Sequence, residues 1–138
     1  MWLFYALLSA LFAALTAIFA KMGVANINSN LATGIRTIVI LIMIWGIVFF
    51  KGEFKGINTL SKQGVFFLII SGVETGMSWL FYFKALQLGR VSQVAPVDKL
   101  SVAIAIILSV IFLKETISFK EIVGVCLIVS GVMVLAFR

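Results

Sequence analysis

Long apolar runs and short polar breaks alternate along the chain, and the alternation repeats five times. The apolar runs cover 2–22, 31–50, 62–88, 92–113 and 119–137. Each is close to or above the roughly 20 residues a helix needs to cross the hydrocarbon of a bilayer. The pattern predicts an all-α integral membrane protein with five transmembrane helices, in one domain over 1–138. Helix punctuation sits where the runs end. Gly23, Gly52 and Gly89 are suited to C-terminal stops. Asn28 or Asn30 is suited to cap the second helix. Ser118 and Glu121 have the spacing of a capping box, which starts the fifth helix. The turn at 114–121 is so short that the last two helices must form an antiparallel hairpin. The fourth helix opens near Ser92, with Pro96 in or just after its first turn, where a missing N–H is least costly.

Composition agrees with this reading and narrows it. The chain is 63% hydrophobic and 12% charged, with mean hydropathy +1.23. A soluble domain is nearer half apolar and a quarter charged. The net charge of +6 comes from Lys and Arg scattered singly beside apolar runs. That is the membrane-interface pattern, and the absence of a basic cluster argues against nucleic acid as a partner. The sequence has no His, and its one cysteine, Cys126, lies mid-helix. It offers no zinc-type ligand set, and no metal or cofactor is expected. Paired aspartates, Ser/His or Cys/His sets and phosphate-binding glycine loops are absent, so the chain is not expected to be an enzyme. The run at 2–22 lacks a basic leader and exceeds the apolar length of a signal peptide, so it is expected to be retained as the first span.

The candidate chemistry lies in the few polar residues inside these spans. Glu74 falls near the middle of the third, hence near the bilayer midplane. Ser71, Glu74, Thr75, Ser78 and Tyr82 recur there at helical spacing as a polar stripe. An unpaired carboxylate at that depth costs a few kcal/mol if ionised, and desolvation favours its protonated form. Either it works in coupling or substrate contact, or it is a neutral acid bonded to a neighbouring helix. Trp79, Tyr82 and Phe81 would supply an aromatic wall. Arg36 and Asp98 each lie about 9 Å past the start of their helices, which run in the same direction. They should therefore share a depth and pair; the alternative is an Arg36 that snorkels to the interface. Lys99 is turned about 100° from Asp98, so the two should not face the same neighbour. Arg36, Asp98 and Lys99 are thus expected to form a gating ion-pair cluster. Small residues (Ala in the first helix, Gly124 and Gly131 in the fifth) suggest packing faces.

Five spans put the termini on opposite faces. Lys51, Lys55, Lys62, Lys114 and Lys120 then lie on one face, and Lys21, Lys84, Arg90 and Arg138 on the other. So even a distribution gives little orientation signal. A chain that inserts both ways would form an antiparallel homodimer, the inverted-repeat plan of many transporters built from two chains. A single orientation or a parallel oligomer is the other outcome.

The segment WLFYFKALQLGRVSQVAPVDKLSVAIAIILSVIFLKETISFKEIVGVCLIVSGVMVLA resembles the second half of an EamA domain of the drug/metabolite transporter superfamily. The resemblance is carried by Ala-Leu-Gln-Leu-Gly at 85–89, Ala95-Pro96, Leu-Lys-Glu at 113–115 and the glycine-bearing last helix. Most members of that family have two such domains fused in inverted orientation; this chain has one. The resemblance implies a homodimer that exports or exchanges small metabolites, amino acids or drug-like compounds across a prokaryotic inner membrane. It assigns no universal functional residue. The expected function is a proton- or gradient-coupled small-molecule transporter working by alternating access. Glu74, Ser78, Tyr82 and Trp79 would serve coupling or substrate binding, and Arg36, Asp98 and Lys99 would serve gating. A membrane scaffold subunit and a passive channel are the alternatives.

Overall fold

The computed structural model describes residues 1–137, with Asn58 described by its backbone alone. Arg138, counted above among the basic residues of one face, lies outside the described residues. The helices are α1 (Trp2–Gly23), α2 (Ser29–Phe50), α3 (Lys62–Leu88), α4 (Val91–Asp98), α5 (Leu100–Leu113) and α6 (Phe119–Ala136). Five spans are long and apolar enough to cross a membrane, with α4 and α5 together forming one of them. Among the described residues there is no strand.

Asn28 caps α2, its side chain accepting from the Asn30 N–H at 2.9 Å. Ser118 and Glu121 form the capping box of α6: Ser118 Oγ accepts from the Glu121 N–H, and the Glu121 carboxylate accepts from the Ser118 N–H at 2.7 Å. The fourth span departs from expectation. It starts at Val91 and breaks at Lys99 into two helices. Pro96 has no N–H to give, and its ring crowds the carbonyl one turn back. Just after it, the Lys99 N–H bonds to the Pro96 carbonyl at 2.9 Å and the Val102 N–H to the Lys99 carbonyl at 3.0 Å. These i→i−3 bonds tighten the chain at the junction. Lys114 ends α5 in the left-handed region, at φ 55°.

The chain divides into two compact units. Of the described residues the first comprises 1–18 and 88–137; in it α4 and α5 both pack on α6, and Ala17, Ala103 and Val132 are buried. The second comprises residues 19–87: the end of α1, α2, a 3-10 turn at Glu53–Thr59, and α3. Its buried side chains are Val24, Phe83 and Leu86, with Ser29 and Thr33. Trp45 meets Phe54 of the 3-10 turn at 6.0 Å between ring centroids. Gln87 ties the α1–α2 connection to the end of α3, its side-chain amide donating to the carbonyls of Val24 (3.3 Å) and Ile27 (3.1 Å). Lys21 Nζ donates to the Leu86 carbonyl. Most large apolar side chains remain exposed on the chain, from Leu3 to Phe137. In water such a surface would be untenable; it suits lipid or another copy.

Candidate functional site

Glu74 lies within one residue of the middle of α3, about 18 Å along a helix about 40 Å long. Its side chain is exposed, and among the described residues it has no hydrogen bond or ion pair. At 100° per residue, Glu74 points directly away from the buried Phe83. The polar stripe around it is only partly available for contact. Thr75 Oγ1 donates to the Ser71 carbonyl at 2.7 Å, a bond made within the helix. Ser78 is exposed beside Glu74.

The other half of the predicted stripe belongs to a different environment. Trp79 and Tyr82 are half-buried and face Arg36 of α2 rather than Glu74. The Arg36 guanidinium carbon lies 4.2 Å from the Trp79 ring centroid and 5.2 Å from that of Phe83. Tyr82 is near enough to interact with it electrostatically. A guanidinium over an aromatic face is attracted by the ring quadrupole, more strongly where water is excluded. Phe81, expected in the same wall, is 69% exposed.

Arg36 and Asp98 fall in different units, and each has a partner in its own. Asp98 pairs with Lys99 at 3.3 Å, at the break between α4 and α5. A regular helix would turn these neighbours about 100° apart. The break and the long Lys stem let the ammonium fold back onto the adjacent carboxylate.

The sequence reading passed over a second stripe, Ser29, Thr33 and Thr37 at intervals of four on α2. Thr33 Oγ1 donates to the Ser29 carbonyl and Thr37 Oγ1 to the Thr33 carbonyl, both at 2.8 Å. The i, i+4, i+8 spacing was the available signal, hidden by the neighbouring Arg36. Beside it, an open groove of about 680 Å³ runs between α2 and α3, lined by Asn30, Thr33, Gly34, Thr37, Gly76 and Met77 among others. A Cβ added at Gly34 or Gly76 would meet nothing within 4 Å, so the groove is open there. Its lining carries no charged side chain. Among the described residues no group of His, Cys, Asp and Glu could hold a metal ion.

Comparison with known proteins gives this geometry a context. The pattern of the EamA-like transporter family matches residues 1–137. A Sinorhizobium protein named "Uncharacterized transporter in cobO 3'region" is 50% identical over 135 residues, covering 98% of this chain and 96% of its own. An uncharacterized protein of Methanocaldococcus jannaschii is 32% identical over 84 residues, 61% of each chain. No solved structure matches.

Proposed function

The chain belongs to the EamA-like transporter family of multi-pass membrane proteins, and from that premise we propose a proton- or gradient-coupled transporter of small molecules that works as an antiparallel homodimer. The observation that carries this reading is Glu74: a carboxylate at the middle of an apolar span, exposed and without a partner among the described residues. Ionised and facing lipid, it would cost a few kcal/mol, so the acid is either protonated or covered by another subunit. In an antiparallel homodimer two Glu74 residues would come to equal depth around a midplane cavity, with Ser78 beside each. A proton on such an acid can be exchanged for a substrate that takes over as its partner in the cavity. That exchange would couple substrate flux to a proton gradient by alternating access. The Asp98–Lys99 pair, at the junction where the Pro96-bearing span is broken, would serve as a gate in each subunit. A prokaryotic inner membrane is the expected location.

The test is flux in liposomes, in parent protein and Glu74→Gln. A coupled transporter moves substrate uphill in a pH gradient and loses that response in the variant. Flux that never runs uphill and ignores the substitution makes the chain a passive channel. No flux in either form makes it a scaffold. Orientation is tested separately, with Cys126→Ser and a single cysteine added after Arg138. Labelling of about half the chains from outside intact cells supports dual insertion; all or none rules out the antiparallel homodimer.

A further inference from the structure

We propose that Arg36, held against Trp79 and Phe83, binds a carboxylate of the transported molecule, so that the substrate is an organic acid or a zwitterion. This inference rests on the transporter reading above. Arg36 is the eighth residue of α2, about 10 Å along its axis. A charged side chain inside a span ordinarily pairs with an acid or extends to the interface. The Arg36 guanidinium lies against rings of α3, and among the described residues it makes no hydrogen bond or ion pair.

No acid of its own unit can serve it. Residues 19–87 contain two, Glu53 and Glu74. Glu53 follows the far end of α2, more than about 20 Å along the axis from Arg36. Glu74 is turned about 140° around α3 from Trp79. The adjacent hydroxyls of Thr33 and Thr37 donate to backbone carbonyls of their own helix.

The stack also dictates what the site can take. Arg presents five N–H donors in a planar fork. The Trp79 and Phe83 rings, 4.2 and 5.2 Å from the guanidinium carbon, offer no conventional acceptor, so contact with them leaves these donors unspent. A carboxylate matches the edge with two parallel hydrogen bonds, shorter and stronger than neutral ones. The edge is not sealed: no buried side-chain nitrogen or oxygen among the described residues lacks a partner, so the unpartnered guanidinium nitrogens of half-buried Arg36 are open to a ligand. Trp79 holds the cation in place before the ligand arrives, which lowers the ordering cost of binding.

Trp79 also provides the readout. In a Trp2→Phe, Trp45→Phe background it is the sole tryptophan. The protein, in phosphatidylcholine nanodiscs, is titrated with the proteinogenic amino acids and a series of mono- and dicarboxylic acids, each beside its carboxamide. At least one acid is expected to give a saturable change in Trp79 emission, with its amide at least tenfold weaker. Arg36→Lys should weaken the acid at least tenfold and Arg36→Gln abolish it, with the circular dichroism spectrum unchanged. Should either variant fail to fold, the acid–amide comparison in the Arg36 background decides alone. The assignment is overturned if no acid binds, or if acid and amide bind equally. It is also overturned if the signal follows phosphatidylglycerol content and ignores soluble acids, since Arg36 would then be holding a lipid phosphate. Flux of the same panel separates the two readings. Transport without preference for acids keeps the transporter and removes this role for Arg36. Acid binding without flux keeps the carboxylate site and removes the transporter.

Discussion

Replacing Arg36 by Met and Trp79 by Leu, singly and together, measures the contact on which the α2–α3 geometry turns. The guanidinium carbon stands 4.2 Å from the Trp79 centroid, well inside the roughly 6 Å reach of a cation–π interaction. Such pairs contribute about 0.5–1 kcal/mol when exposed and about 2 when desolvated. Both residues are half-buried, which points to the middle of that range. Phe83, at 5.2 Å, remains as a second ring in the Trp79→Leu variant and retains part of the attraction. The expected coupling energy is therefore about 1 kcal/mol. The single changes are poor guides, because Arg36→Met also removes a charge from an apolar span and that change alone can be stabilising. The cycle cancels this contribution and leaves the pairwise one. The assay is reversible unfolding in mixed micelles with rising dodecyl sulfate, followed by far-UV circular dichroism. A coupling within about 0.3 kcal/mol of zero would refute the stack. A second cycle, Arg36→Met with Asp98→Asn, tests the pairing expected from shared depth. If that cycle gives the larger coupling, depth in the bilayer has outweighed local aromatic contact.

Three further expectations concern the frame that holds the site. Gln87→Leu removes two side-chain hydrogen bonds to the α1–α2 connection, at about 1 kcal/mol each, and should speed amide exchange over residues 24–30; unchanged exchange would mean Gln87 is not the tie. Ser118→Ala should lower stability by about 1 kcal/mol, with Ser118→Asp largely restoring it, read as thermal midpoints. Lys114→Gly should raise the thermal midpoint, since a non-glycine residue at φ 55° carries a penalty of about 1 kcal/mol that glycine lacks; a lowered midpoint would show that Lys114 has a compensating contact.

The sequence by itself determined the spans, their punctuation and the family. Transmembrane length is set by bilayer thickness and backbone hydrogen bonding, and both act locally, so an apolar run of sufficient length is a helix whatever surrounds it. Capping is equally local: Asn28, Ser118 and Glu121 each reach partners within three residues. The same locality limited the reading of the polar residues. Depth can be counted along a helix, but the rotation of one helix against another cannot, and membrane helices pack through shape more than hydrophobicity. The stripe from Ser71 to Tyr82 therefore looked like one site. Only tertiary packing decided that Glu74 and Ser78 face outward from α3, while Trp79 and Tyr82 face Arg36. The break at Lys99 was decided likewise. Pro96 is visible in the chain, but whether it opens a helix or interrupts one depends on where the first turn forms. Here α4 begins at Val91, five residues before the proline, so the lost N–H falls inside the span, and the helix breaks three residues further on, where Asp98 and Lys99 pair.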